Sequence, residues 1–334
     1  MPNIRVMHFG LGPIGAAIVK QVATRPGFKI VGAIDIDSAK VGRDLGEVVG
    51  LPKRLGAKVS ADAAKALKAA KPDVVVLCTS SSIKSVLPQI EQILKAKVPI
   101  VSTTEELSYP GYTHIRQARQ IHALAKKAKV AVLGTGVNPG FAMDALPIAL
   151  TAVCERVDRI VVHRVQDARI RRLPFQQKIG AGLTTEQFEK KKADGSVRHV
   201  GMAESIAMIA DAMGWTLDRI SDDLQPKLAS VTISSEYLAV DAGYVAGIIQ
   251  DGVGYRKNEP VIKLHMEAYL GSPETYDSVD IEGSPSLSMK ISGGIHGDVA
   301  TASIVVNSIP KVLQAAPGLH TMRDLPLPSF FPGR

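Results

Sequence analysis

Short apolar runs alternate with amphipathic stretches along the first 150 residues, and the alternation predicts strand and helix in turn. Ile4-Arg5-Val6-Met7-His8-Phe9 has strand length, Ala16 to Thr24 carries Ile18, Val19 and Val22 at helical spacing, and Lys29 to Ile34 turns apolar again. Helices are expected over Ala39–Val49, Ala61–Ala70, Ile83–Lys95 and Thr113–Lys129, between strands at Val74–Thr79, Val98–Ser102 and Val130–Leu133. Val74 to Cys78 is apolar without a break, as in a parallel strand covered on both faces. Asn138 as cap and Pro139 as first residue predict a further helix, Phe141–Leu150. Residues 1–150 thus read as one α/β domain built on a doubly wound parallel sheet.

The pattern changes near Glu155. Arg159–Gln166 is expected as a strand, Leu173–Ile179 as a short helix or loop, Thr184-Thr185-Glu186-Gln187 as a capping box, and Met202–Met213 as an amphipathic helix. Five β-rich segments follow: Leu228–Val240, Tyr244–Tyr255, Val261–Leu270, Ser278–Glu282 and Ser286–Ile291. Consecutive strands with Gly and Pro turns imply a second, α+β domain over 151–334 on a mixed or antiparallel sheet. Its last helix, within 298–316, is free to pack back on the first domain. A substrate pocket is expected in the cleft between the domains.

Gly10-Leu11-Gly12-Pro13-Ile14-Gly15 joins the first strand to the first helix, and Asp35 ends the second strand. Strand, glycines, helix, strand and acid in one βαβ-sized window form a dinucleotide-binding (Rossmann) fingerprint. Gly10 permits the turn, Gly12 lets a pyrophosphate approach the backbone, and Gly15 lets helix and strand pack closely. Pro13 and Ile14 open the helix whose N-terminus faces the phosphates. Asp35 would accept from the adenosine ribose, which favours NAD, while Lys40 and Arg43 leave NADP open. Thr79-Ser80-Ser81-Ser82 leaves the next strand at the same sheet edge, either beside the cofactor or as a helix cap.

Length and composition narrow the class. A chain of 334 residues exceeds one ordinary core. The formal net charge of +8 is spread along it and aromatics are 4%, so no nucleic-acid partner is expected. Cys78 and Cys154 show no zinc spacing, and no metal is expected. Met1-Pro2-Asn3 leads directly into a strand, no signal peptide is visible, and no apolar run spans a membrane, so the expected location is the cytoplasm.

Nicotinamide chemistry belongs at the carboxyl edge of the later strands, where Glu105 and Glu106 stand side by side. On an extended chain they face opposite ways, so one can serve chemistry and the other structure. An amine that gives up hydride must first lose a proton, because a neutral nitrogen lone pair does the pushing. A carboxylate in a partly dry cleft binds the ammonium and takes that proton. Taken alone, an acid pair before a helix is also ordinary solvated surface.

Ser102-Thr103-Thr104-Glu105-Glu106-Leu107-Ser108-Tyr109-Pro110, Gly134-Thr135-Gly136-Val137-Asn138-Pro139-Gly140, Gly297-Asp298-Val299-Ala300-Thr301 and Pro317-Gly318-Leu319 resemble the 2,4-diaminopentanoate dehydrogenases and native amine dehydrogenases, of the dihydrodipicolinate reductase-like superfamily. The resemblance implies NAD(P)-dependent interconversion of an amine with a ketone or aldehyde plus ammonia. It implies a catalytic glutamate from the pair, with Glu105 preferred to Glu106, Asn138 and Pro139 near the nicotinamide, and a homodimer formed through the second domain. Tyr109 and Phe141 would wall the pocket by adjacency to these motifs. Arg169, Arg171 and Arg172 would take a substrate carboxylate or form a solvated turn, and His265 would line the cleft or sit in the sheet. The rival readings are a cyclic imine or C=C reductase, which turns over without ammonia, and a nucleotide-binding sensor, which does not turn over.

Overall fold

The computed structural model describes residues 3–197 and 199–333; Met1 and Pro2, where the expectation about the chain's start falls, lie outside them. The first half alternates as its hydrophobic pattern requires. β1 (Ile4–Phe9), α1 (Pro13–Thr24), β2 (Phe28–Ile34), α2 (Leu45–Val48), β3 (Val59–Ser60), α3 (Ala63–Ala70), β4 (Val74–Leu77), α4 (Ile83–Lys95) and β5 (Ile100–Ser102) come first. A single 3-10 turn, Glu105–Leu107, separates β5 from α5 (Ile115–Ala128) and β6 (Ala131–Gly134). Asp44 and Asp62 cap α2 and α3 by accepting the amides of Gly46 and Lys65. The helix expected over Ala39–Val49 shrinks to α2, because residues 37–43 form turns drawn together by bonds to the Asp37 carbonyl.

The second stretch contains α6 (Ala145–Leu150), β7 (Arg156–Asp167), α7 (Leu173–Lys178), α8 (Thr185–Ala193), α9 (Met202–Ala212), β8 (Arg219–Leu228), β9 (Ile233–Ser234), β10 (Ala239–Val240), β11 (Val245–Arg256), β12 (Glu259–Tyr269), β13 (Tyr276–Ser284) and β14 (Leu287–Ser292). The helix expected from Phe141 starts at Ala145 instead. Gly140 sits at φ +127°, outside the helical region, and Asp144 accepts the Ala145 amide as the cap. The capping box at Thr184 and Gln187 forms as its sequence demands. The strand expected over Leu228–Val240 is corrected. The chain pairs earlier, as β8, and residues 233–240 make a separate small hairpin of β9 and β10. Six strands lie in the order β14-β13-β7-β12-β11-β8, with β7 and β12 parallel and the other neighbours antiparallel, which is a mixed sheet. α9 covers one face, with Met202 and Ile206 seated over Gly252.

The tail, α10 (Gly297–Gln314) and β15 (Gly318–His320), returns to the first sheet. That sheet runs β15-β6-β5-β4-β1-β2-β3, all parallel. Its direction of winding reverses between β1 and β4, where an open α/β sheet binds its ligand. α10 packs on α1 and on β4, β5 and β6, burying Ile304, Val305, Ile309 and Val312 on the face where α1 buries Ile18, Val19 and Val22. Ile83, Val86, Ile90, Ile93 and Ile121 join Met7, Phe9, Val75 and Leu77 on the opposite face. Each such side chain contributes about 1.5–3 kcal/mol by leaving water. The chain forms two compact units, Met1–Phe141 with Gly297–Arg334, and Ala142–His296. No helix among the described residues is long and apolar enough to cross a membrane.

Candidate active site

The glycine loop lies at the reversal point. Gly10 has φ +94°, and a Cβ there would sit 2.5 Å from the Cys78 carbonyl oxygen at the end of β4. A Cβ on Gly15 would fall 2.1 Å from the Gly10 carbonyl oxygen, while one on Gly12 meets nothing within 4 Å. Gly10 and Gly15 are therefore required by packing, and Gly12 leaves an open approach to the backbone. α1 begins with Pro13 behind Gly12, no side chain caps it, and the amides of Ile14 and Gly15 have no carbonyl within the helix to bond. Such an arrangement can cradle a phosphate group, and the residues present fit a dinucleotide.

Asp35 closes the loop. Its Oδ2 accepts the Leu11 amide at 2.8 Å and its Oδ1 the Asp37 amide at 2.9 Å. Lys40 Nζ stands 3.5 Å from Asp35 and 3.1 Å from Asp37. The Ala39 amide first, and then Lys40, hold the Asp37 carboxyl below the usual range. Arg43 turns back to the Ala39 carbonyl. Burial pushes the Cys78 thiol up to about 11, against bonds to Thr103 that lower it, which makes it an inert neighbour of the loop.

At the far end of the edge, the segment after β5 is laced to the segment after β4. Ser102 Oγ donates to the Leu77 carbonyl, Thr104 Oγ1 to the Ser80 carbonyl at 2.9 Å, and the Glu106 amide to the Ser81 carbonyl at 3.1 Å. Glu106 Oε2 accepts the Ile83 amide at 2.8 Å, so it caps α4 from a distance, and it lies 3.2 Å from His114 Nε2. Ser82 stands at the cap position of α4 but makes no side-chain cap bond, and Ser80 Oγ accepts the Ser82 amide. Thr79 is exposed and donates to Gln89. The glutamates occupy a 3-10 turn and not an extended chain, so they diverge by about 120° about the turn axis. Glu105 and Glu106 are both half-buried. Gly134 fixes the turn from below, since a Cβ there would lie 2.4 Å from the Leu107 carbonyl oxygen. Tyr109, Asn138 and Phe141 are half-buried and Pro139 is buried; burial first raises the Tyr109 pKa, with Arg323 opposing.

The other candidates belong to the second unit. Arg169 is exposed and doubly bonded to Asp167 through Nε at 2.7 Å and Nη2 at 2.6 Å. Arg171 is 7% exposed, holds its guanidinium carbon 4.0 Å from the centre of the Phe175 ring and donates to Gln166. Arg172 is half-buried at the cap position of α7. His265 lies on β12 between Asp251 at 2.7 Å and Glu267 at 3.0 Å, with its ring 5.2 Å from that of His163. Burial lowers its pKa, but the two carboxylates outweigh burial and leave it raised. Sequence reading missed His114 and Asp37. Only the folded contact reveals His114, whereas Asp37 was visible as a second acid at the end of a strand.

Comparison with known proteins agrees with this architecture. A family model described as the 2,4-diaminopentanoate dehydrogenase C-terminal domain matches residues 141–333, and one described as the dihydrodipicolinate reductase N-terminus matches residues 4–135. The chain is 35% identical to the 2,4-diaminopentanoate dehydrogenase of Acetoanaerobium sticklandii, over 98% of this chain and 95% of that protein. The amine dehydrogenase structure from Mycobacterium smegmatis superposes with a TM-score of 0.88 at 25% identity, covering 99% of this chain and 98% of that one. Dihydrodipicolinate reductase from Paenisporosarcina sp. TG-14 shares the fold, with a TM-score of 0.55 at 16% identity over 96% of this chain and 97% of that one. The class is therefore an NAD(P)-dependent oxidoreductase acting on amines, an amine dehydrogenase with small-molecule amine and carbonyl substrates. The chain belongs to the 2,4-diaminopentanoate dehydrogenase family.

Proposed function

We propose that this chain oxidises an amine of the 2,4-diaminopentanoate kind, or a simple alkyl amine, to the ketone or aldehyde plus ammonia, and catalyses the reverse, with Glu105 as the catalytic carboxylate. The reading is supported above all by the family to which the chain belongs and by the acid pair on the anchored turn after β5, where Glu106 serves the α4 N-terminus through the Ile83 amide and meets His114. The coenzyme, when bound, accepts the hydride, with NAD preferred for the acidic turn that follows β2. Gly10, Gly12, Pro13, Ile14 and Gly15 hold its phosphates, Thr79 and Ser80 flank it, and Asn138 and Pro139 lie near the nicotinamide. Glu105 takes the proton from the substrate ammonium, and the neutral nitrogen lone pair then expels hydride from the adjacent carbon. Once Glu105 has passed that proton to solvent, it takes another from the water that adds to the iminium carbon and returns it to the nitrogen, which leaves as ammonia while the carbinol O–H proton goes to solvent and the carbonyl forms. Tyr109 and Phe141 wall the pocket. A substrate carboxylate, as diaminopentanoate carries, calls for the planar fork of an arginine, and Arg171 is one candidate. Arg169 is already closed on Asp167, and Arg172 remains a second candidate.

A second copy would dock on the face of the second sheet where Lys263 on β12 and Lys290 on β14 alternate with Asp251, Glu267 and Asp280, since a twofold axis can set the lysines of one copy against the acids of the other. Light scattering of the purified protein tests this dimer. The thiols suit the cytoplasm. For the chemistry, the test is coenzyme reduction with 2,4-diaminopentanoate and alkyl amines, and coenzyme oxidation with ketones and ammonia. Glu105→Gln should lose about 10²–10⁴ in kcat, while Glu106→Gln, still able to accept the Ile83 amide, should lose under about tenfold. Equal losses in the two variants, or turnover that does not require ammonia, would refute the assignment.

A further inference from the structure

The residue that tells the two nicotinamide dinucleotides apart is ordinarily sought in the acid at the end of β2. Here both oxygens of Asp35 already hold backbone amides, those of Leu11 and Asp37, and so tie the glycine loop to the strand end. Asp37 is placed differently. Its side chain is 44% exposed; Oδ1 accepts the Ala39 amide at 3.0 Å, and Oδ2 lies 3.1 Å from Lys40 Nζ. The ammonium thus sits between two carboxylates, and the three groups sum to one negative charge. Between the acids, Ile36 is 88% exposed, an isolated apolar surface of the size an adenine ring covers.

We propose that Asp37 selects the dinucleotide that lacks a 2′-phosphate, by holding Lys40 away from service as a phosphate ligand. The proposal rests on the coenzyme reading above. A ribose 2′-hydroxyl donates a hydrogen bond to the remaining acceptor capacity of Asp35 and leaves the ion pairs intact. A 2′-phosphate brings nearly two negative charges to a net negative spot, and must pull Lys40 from Asp37 to be neutralised. Without the Asp37 charge the same ammonium becomes the natural partner of that phosphate, with the Arg43 guanidinium close by on its turn. Asp35 is then chiefly a positioning residue for the loop, and its loss should weaken both dinucleotides.

The test is calorimetric binding of ADP-ribose and 2′-phospho-ADP-ribose to the full chain, which reads recognition without turnover. Wild type should favour ADP-ribose. Asp37→Asn, which keeps an acceptor for the Ala39 amide, should tighten the phosphorylated fragment by about fivefold or more, the scale of one surface ion pair, and leave ADP-ribose within about twofold. Adding Lys40→Ala should erase the gain. Ile36→Ser should weaken both fragments alike, and Asp37→Ser gives a second removal of the charge if the asparagine variant folds poorly. An unchanged ratio in both Asp37 variants, a gain that survives loss of Lys40, or a wild type that prefers the phosphorylated fragment would overturn the proposal. Failure of wild type to bind either fragment would instead bring down the coenzyme reading, and the proposal with it.

Discussion

His8 sits in the middle of the first sheet, with β1 paired to β2 on one side and β4 on the other, and its ring points into the core. It is 1% exposed, and neither ring nitrogen has a hydrogen-bond partner. Burial lowers its pKa from 6.5 to about 3. A base with a depressed pKa in the fold is bound by protons more readily in the unfolded chain. Its effect on stability is absent above about pH 6.5, grows as pH falls, and levels off near pH 3. At 1.36 kcal/mol per unit, the full span is on the order of 5 kcal/mol, of which about 2 kcal/mol is felt by pH 5. Leucine has nearly the same volume and no polar atoms. His8→Leu should therefore stabilise the protein by about 1–3 kcal/mol at pH 7, by relieving two unpaired nitrogens, and by about 2 kcal/mol more at pH 5. The assay is urea unfolding followed by circular dichroism at both pH values. Wild-type and variant stabilities that run parallel between pH 7 and pH 5 would show that His8 is not buried as a neutral, unpaired base.

Two further perturbations probe the scaffold. Gly134→Ala drives a methyl group into the Leu107 carbonyl at 2.4 Å, and should cost about 1–3 kcal/mol in a thermal melt while lowering kcat, because the displaced turn carries Glu105. Asp277→Asn removes the carboxylate that meets Arg164 at 2.5 Å where both side chains are 4% exposed, and should destabilise the second unit by about 3–5 kcal/mol in denaturant unfolding followed by Trp215 fluorescence.

What could be read from the sequence was whatever is decided within a few neighbouring residues. The glycine loop, the continuous β4 run, the Thr184 capping box and the buried faces of α1 and α10 each follow from local geometry and periodicity. β8 was missed because Arg219 to Leu228 is an edge strand rich in polar residues and carries Pro226, which suits an edge and hides the pattern. β15 is three residues long, and its partner β6 lies far back in the chain. The partners of Glu106 could not be read locally, since the Ile83 amide and the His114 ring reach it only through folding. The Asp37 role likewise needs the turn that brings Lys40 back over both acids.

The return of α10 and β15 to the first sheet has a consequence for biosynthesis. Every residue of the 142–296 unit has been translated before the helix that covers α1 and the strand that edges β6 have been made. The later-encoded half is thus the one able to finish folding first, and the nucleotide cradle, although it is translated at the outset, must wait with part of its apolar face bare until the polypeptide is nearly finished. Chaperone binding during translation should accordingly concentrate on the N-terminal segments, not on those encoded in the middle.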